Sequence, residues 1–486
     1  MNFKDLLTRF DYIKTLGEIP ETIDKITDRS FEVEKGSLFF CVKGSSQNGE
    51  KYIREVTLRG ASVIITEKEL ETSVFQVIVN SVRTAMAQIA KAFYGNPQEQ
   101  MKIVGLVGTN GKTSTCHIIA EILRQAGKKV GVTGTIGTYF DGEKRRSTLT
   151  TLGCLQLYAL MKEMVDREVE YFIMEVSAHA ISQSRVEGVY FDVLAFTNCT
   201  EDHLDYFGSI KEYERVKESI FNTENCKYMV INSDDETGRR IIKNNEKNSV
   251  TYGIYNPADV FAIDVNEKPN GIEYVINLFD TIYQIKSKLI GVCNVYNTLS
   301  ASACCAMLGV KTPIIAKALQ KINPVEGRAE EVCKVKGARV FVDYAHTPDG
   351  LKRTLLSMRK ICSQRLICLF GCGGNREREK RPAMGSIAGA VSDFTVITSD
   401  NPRFEDPVSI IKEVELGVKS ITRKYITITD RKSAIYYALS MLGDGDVLVI
   451  AGKGAEDYQE VMGEKREFSD KKTVLGFLTE SEGGKL

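Results

Sequence analysis

The chain has 486 residues, 43% hydrophobic and 26% charged, which is the composition of a soluble globular protein too long for a single core; length alone suggests about three domains. Lys and Arg together number 64, as do Asp and Glu, so the balance argues against a general nucleic-acid or membrane-surface binder while leaving room for local basic pockets. The opening MNFKDLLTRFDYIKTLG lacks the apolar core and cleavage site of a signal peptide, and no apolar run reaches the ~18 residues of a membrane helix, which points to the cytoplasm. Twelve cysteines show no C-x-x-C spacing (Cys304 and Cys305 adjoin, Cys368 and Cys372 lie four apart) and read as reduced thiols filling cores.

Three blocks follow in chain order. Residues 1 to about 100 carry strand-like runs SLFFCV (37–42) and ASVIIT (61–66), then a helical run (82–95) and the polar linker NPQEQMK. The second block opens with IVGLVGTNGKTS and has apolar strands at 103–107, 171–176 and 193–197 with helical stretches between, the rhythm of a mostly parallel sheet covered by helices. Pro and Gly in NPVEGR (323–328) precede the third block, whose strands are RVFVDY (339–344), LICLF (366–370), FTVIT (394–398), YITIT (425–429) and VLVIA (447–451). Each ends in a polar or Gly-bearing loop, where open α/β sheets bind ligands.

The strongest local signal is Gly108-Thr109-Asn110-Gly111-Lys112-Thr113-Ser114 between a strand and a helical run. Glycines let backbone N–H groups turn toward phosphate oxygens, the helix N-terminus favours negative charge, Lys112 adds a point charge, and the Thr113 hydroxyl can reach Mg²⁺. The strict G-x-x-x-x-G-K-S/T template fails because Leu106 holds the first glycine position, flanked by Gly105 and Gly108. Glu175 ends the apolar strand YFIMEVS, where an acid projects from the sheet's carboxyl edge toward such a nucleotide. Of four histidines, His117, His179, His203 and His346, three fall in motif-like loops. Alone, His203 in NCTEDHLDYFG reads as a loop histidine bonded to Asp202 or Asp205, and Lys217 in EYERVKESIF as a solvated lysine.

The GTNGKT form resembles the Mur ligase and folylpolyglutamate synthetase superfamily, whose members use ATP to activate a carboxylate as an acyl phosphate for attack by an amine. The resemblance gives His203 the second of two Mg²⁺ ions, alongside Thr113 and Glu175, and makes Lys217 a carbamate that helps hold it. Such a modification needs a depressed lysine pKa. Lys112, Glu175, His203 and Lys217 are thereby the catalytic set. EVSAHAISQSRV is similar to a segment of the UDP-N-acetylmuramoyl-tripeptide synthetase branch, which places Ser177, Gln183 and Arg185 on the UDP-muramoyl dipeptide, together with Thr150 and Thr151. Leu152 replaces the proline that normally follows those threonines. Asn294 (with Asn297 nearby), Arg328 and Asp343 match nucleotide contacts; the role of His346 stays open.

Asp400-Asn401-Pro402-Arg403 resembles the D-N-P-R motif of branch members that add meso-diaminopimelate, whose distal carboxylate, absent from lysine, Arg403 can pair with. Arg376, Gly452 and Glu456 match the rest of that pocket, Glu456 facing the distal ammonium. Besides Leu152, two departures stand out. The uridine loop's D-S-R aligns with Arg29-Ser30-Phe31, so only Ser30 survives; Ser45, Ser46 and Gln47 are further uridine candidates; and Ala455 replaces a histidine in G-K-G-H-E. The implied architecture is α/β with three domains: a uridine-binding domain (1–98), a central P-loop parallel-sheet domain (99–327) and a Rossmann-like domain for the incoming amino acid (328–486). The implied reaction adds meso-diaminopimelate to the D-glutamate of UDP-N-acetylmuramoyl-L-alanyl-D-glutamate, consuming ATP with Mg²⁺, in peptidoglycan synthesis. The implied partners are these small molecules, with no nucleic acid and no membrane span. Lysine or another diamine as the amine, or a folylpolyglutamate- or cyanophycin-type ligase, are the rivals. A P-loop GTPase switch would want an N-K-x-D motif, which the chain lacks.

Overall fold

The computed structural model describes residues 1–44, 48–147, 149–245 and 248–483, so Ser45, Ser46 and Gln47 lie outside it. Two compact units emerge: Met1–Val107 with Gly127–Leu194 and Ser219–Met229, and Gly108–Ala126 with Ala195–Glu218 and Val230–Leu486.

The first unit begins with a five-stranded sheet in the order Lys14–Leu16, Phe75–Ile78, Val63–Thr66, Ser37–Phe40, Lys25–Thr27. All pairings are parallel except that of the first edge strand. The three inner strands are buried along their whole length, as helix-covered parallel strands must be. The helical run foreseen at 82–95 forms as Val82–Phe93, capped where Ser81 accepts from the Thr84 N–H. Part of a second, larger sheet runs in the order Phe191–Phe196, Lys102–Val107, Tyr171–Val176, Val130–Gly134, Gly137–Phe140 and Glu143–Arg145. Glu175 registers beside Leu106 and Val176 beside Val107, on the strand that runs into the loop at 108–114. Gly105 is a packing glycine: a Cβ there would come 2.7 Å from the Phe191 ring.

The antiparallel strands at 137–145 and the hairpins Val260–Lys268, Gly271–Leu278 and Thr281–Ser287 depart from the helix-and-parallel-strand rhythm read from the sequence. Asp141 and Gly142, both at positive φ, make the tight turn of the first.

The C-terminal six-stranded sheet runs in the order Glu330–Val335, Ala338–Asp343, Val447–Ala451, Leu366–Phe370, Phe394–Ile397, Tyr425–Thr427, parallel but for its first strand. The last long strand in sequence thus sits near the centre. One face packs Leu351, Met384 and Val414 and the other Ala434, Ile435 and Leu439, so helices cover both. Asp343, Asp400 and Gly452 lie at or just past the carboxyl ends of its strands. All twelve cysteines are free thiols.

Candidate active site

In the second unit, Gly108 and Gly111 adopt φ 148° and 87°, and helix Lys112–Gln125 starts immediately after. A Cβ on Gly108 would fall 1.9 Å from Thr197 Oγ1, so only glycine fits. The loop is laced to the strand end at 197–200. The Thr109 N–H donates to the Asn198 carbonyl at 2.8 Å and the Asn110 N–H to Asn198 Oδ1 at 3.0 Å. Thr197 Oγ1 and Asn198 Nδ2 donate back to the Asn110 carbonyl at 2.7 and 3.0 Å. Lys112 Nζ donates to the carbonyls of Gly108 and Thr109 at 2.6 and 2.9 Å, which holds its charge over the loop. Thr113 and Ser114 are buried in the helix's first turn.

Three other sequence-foreseen residues converge on this loop. Arg328 Nη2 donates to Thr113 Oγ1 at 2.9 Å, with the guanidinium 4.2 Å from the Tyr344 ring centre. Asn297 lies against Gly111 and accepts from Thr115 Oγ1 at 3.3 Å; Asn294 is buried behind it, its Oδ1 accepting from Asn297 Nδ2 at 3.0 Å. Asp343 has another duty from this position: its carboxylate accepts from the Ala329 and Ala345 N–H groups at 2.7 and 3.0 Å and from Thr354 Oγ1 at 2.9 Å. It thereby braces the turn that carries Arg328. Asn110 Nδ2 also reaches Asp349 at 3.3 Å, a contact that no motif foreshadows.

Lys217 is not the solvated lysine its helix suggested. It is fully buried, donates to Thr109 Oγ1 at 2.6 Å, and lies 3.7 Å from the Tyr213 ring centre. Burial pulls its pKa down to about 7, assisted by Lys112 and opposed by Cys199 and Asp202. His203 takes a left-handed φ of 55°. Its N–H donates to Asp202 Oδ1 at 2.9 Å, and its Nε2 stands 3.5 Å from Asp202 Oδ2. Desolvation holds the imidazole below its usual pKa against the pull of Asp202. His346 Nδ1 bonds the Tyr344 carbonyl at 2.9 Å, and burial lowers its pKa too.

In the first unit, Glu175 is buried and held by a residue the sequence reading missed: Thr135 donates its N–H at 2.7 Å and its hydroxyl at 3.2 Å. Thr135 Oγ1 also bonds Thr150 Oγ1 at 3.2 Å. Gly134 leaves room for this carboxylate, since a Cβ would meet Oε1 at 2.1 Å. Thr151 Oγ1 bonds the Glu175 carbonyl at 2.9 Å and Ser177 Oγ at 3.2 Å; Arg185 donates to the Thr151 carbonyl at 3.1 Å and to Gln183 Oε1 at 2.6 Å. The dipeptide candidates therefore form one patch. Ser30 lies partly exposed in a short 3₁₀ turn beside the exposed Phe31. Among the described residues, no three or more His, Cys, Asp and Glu groups gather to hold a metal ion.

The amine-side residues gather at the C-terminal sheet's carboxyl edge. The Gly374 N–H donates to the Asn401 carbonyl at 2.9 Å, and Arg403 Nη1 to the Gly374 carbonyl at 2.8 Å, joining the loops at 373–376 and 400–403. Arg403 Nε lies 3.2 Å from Glu460 Oε2. Asn401 Nδ2 donates to Glu456 Oε2 at 2.9 Å, and the fully buried Lys453 donates to both Asn401 Oδ1 and Glu456 Oε2 at 3.0 Å. Gly452, at φ 112°, lies against the Asp400 carboxylate. Arg376 is exposed and donates to the Asn375 carbonyl at 3.0 Å. Ala455 presents its backbone to Gly327. Lys453, Glu460 and the buried Arg381, which donates to Glu405 and Glu413 at 2.8–2.9 Å, escaped the sequence reading. Lys453 alone had a sequence signal, its place between two glycines.

The Mur ligase middle-domain family matches residues 106–305, and the Mur ligase, glutamate ligase domain matches 327–454. A UDP-N-acetylmuramoyl-L-alanyl-D-glutamate–2,6-diaminopimelate ligase of Geobacillus thermodenitrificans is 41% identical, covering 93% of this chain and 94% of its own. The Clostridium botulinum protein of that name is 38% identical over 99% and 100%. A solved structure of a ligase with the same name superposes with a TM-score of 0.71 at 27% identity, covering 99% of each chain. A MurF ligase from Thermotoga maritima in complex with ADP gives 0.61 at 19% identity, covering 94% of this chain and 97% of that one, a likeness of fold.

Proposed function

The chain belongs to the Mur ligase family, and from that premise we infer that it is an ATP-dependent, ADP-forming ligase adding meso-diaminopimelate to the D-glutamate of UDP-N-acetylmuramoyl-L-alanyl-D-glutamate in peptidoglycan synthesis. What carries the choice of amine is one observation: Arg403, on its Asp400–Arg403 loop, shares a sheet edge with Glu456, a guanidinium and a carboxylate for the two charges of a distal amino-acid head.

In this reading residues 1–98 take the uridine end, 99–327 the ATP and 328–486 the amine. The loop 108–114 cradles the triphosphate with its backbone N–H groups, and Lys112 and Arg328 place positive charge where the γ-phosphoryl group moves. The dipeptide's γ-carboxylate attacks that phosphorus and ADP leaves; the diaminopimelate amine then attacks the acyl carbon, forming the amide and expelling phosphate. Thr150, Thr151, Ser177, Gln183 and Arg185 orient the dipeptide, and Ser30 meets the uridine. Thr113, Glu175, His203 and a carbamate on Lys217 would hold Mg²⁺. The fit rests on a Glu175 carboxylate fixed by Thr135 and on a buried Lys217 amine poised to lose its proton near neutrality. Bound there, Mg²⁺ would supply positive charge to offset that of the triphosphate and the incoming carboxylate. The Lys217 ammonium loses a proton, and the neutral amine then adds CO₂ and releases a second proton, which exchanges a cation for an anion. Substrates of this kind place the reaction in the cytoplasm, and no described helix is long and apolar enough to cross a membrane.

A panel of diaminopimelate, lysine, ornithine and lanthionine tests the reading. Diaminopimelate should lead lysine in kcat/KM by about a hundredfold or more. Arg403→Ala should cost diaminopimelate selectively; equal use of lysine by the wild type, or equal loss with both amines in the variant, contradicts the assignment.

A further inference from the structure

Arg403 is held in an unusual way. Its backbone sits at φ 51°, a left-handed conformation that an arginine adopts only when its surroundings enforce it. The enforcing element is the hairpin Tyr458–Val461 with Glu464–Glu467. The Arg403 N–H donates to the Glu460 carbonyl at 3.0 Å, and the Arg403 carbonyl accepts from the Met462 N–H at 2.7 Å. The Glu460 side chain then returns to the same residue, with Oε2 3.2 Å from Arg403 Nε. Glu460 is itself anchored, since its N–H donates at 2.9 Å to Asn401 Oδ1, the atom that also accepts from Lys453. One residue therefore grips Arg403 by main chain and side chain and ties it to the network that fixes Glu456.

A guanidinium has five N–H donors. Glu460 forms an ion pair with the guanidinium on its Nε side and the Gly374 carbonyl accepts one Nη1 hydrogen, which leaves the Nη2 donors for a substrate carboxylate. An unbraced arginine samples many rotamers, and ordering it at the moment of binding costs affinity. We propose that Glu460 is a positioning residue for amine specificity: it aims the Arg403 guanidinium so that a diamino acid with a distal carboxylate is taken in preference to one without. This rests on the diaminopimelate reading above. It assigns Glu460 the role of brace and not of competitor, although its carboxylate has the same chemistry as the ligand's.

The test measures KM for diaminopimelate, KM for ATP and the diaminopimelate-to-lysine ratio of kcat/KM in wild type, Glu460→Ala, Glu460→Gln and both changes combined with Arg403→Ala. Glu460→Ala should raise the diaminopimelate KM and lower the ratio by about fivefold, the worth of one partly buried ion pair. Glu460→Gln keeps the side chain's shape and a polar oxygen beside the guanidinium but not its charge, and should recover part of that loss. In the Arg403→Ala background neither change should move the ratio further. A diaminopimelate KM that falls or stays put in Glu460→Ala, a KM for ATP that rises in parallel, or an undiminished effect without Arg403 each overturns the inference while leaving the ligase reading intact. A wild type that does not use diaminopimelate overturns both.

Discussion

Lys217 is where a single residue's environment decides most. A charged amine in a fully buried site loses its hydration, so the folded state holds the proton only below about pH 7, whereas the unfolded chain holds it to the ordinary lysine value. The sign follows. Between about pH 7 and the unfolded pKa the unfolded state binds one more proton, so unfolding free energy gains up to about 1.4 kcal/mol per pH unit from this group as pH rises. Below pH 7 the full penalty is present. Urea unfolding between pH 7 and 9 should show this slope in the wild type and lose it in Lys217→Met, which should also lose most ligase activity. An unchanged slope in the variant would place the titration elsewhere. The sequence offered no physical hint of this, since Lys217 lies on a polar helix, Ile210–Glu218, and its burial comes from Thr109 and Tyr213 packing over it.

At the scale of elements, the turn at 108–114 was readable because its signal is local: glycines, a lysine and a hydroxyl between a strand and a helix. What holds the loop was not readable, because Thr197 and Asn198 arrive from far along the chain. Gly108→Ala tests that packing. The added methyl meets Thr197 Oγ1 at a φ that alanine avoids, so a loss of about 2 kcal/mol or more in stability is expected, with ATP binding weakened. A variant with wild-type stability would mean that the loop relaxes freely. The hairpins at 260–287 escaped for a different reason. A register shift between Ile263 and Asn266, with Asp264 at φ 53°, breaks the period-2 alternation that marks a strand. In the C-terminal sheet each strand was legible as an apolar run bounded by polar loops, but the order was not, since nothing local says that Val447–Ala451 inserts beside Leu366–Phe370. Arg403 was legible through its motif; Glu460, its brace, lay in a hairpin with no motif of its own.

Across the whole molecule, the sheets do one thing repeatedly: they place acidic side chains at or just past the carboxyl ends of parallel strands, as with Glu175, Asp343 and Asp400. The α/β class and the ligase family could be read before any coordinates, because the segments at 108–114, 175–186 and 400–403 each form a short motif. The brace residues Thr135, Lys453 and Glu460 could not, because positioning requires only a donor or acceptor at the right place in space. The most direct test of the ligase assignment is phosphate release from ATP by the wild-type chain with the muramoyl dipeptide and diaminopimelate added separately and together. Release that needs both, matched one for one by tripeptide product, is the predicted result; steady release with ATP alone would contradict it.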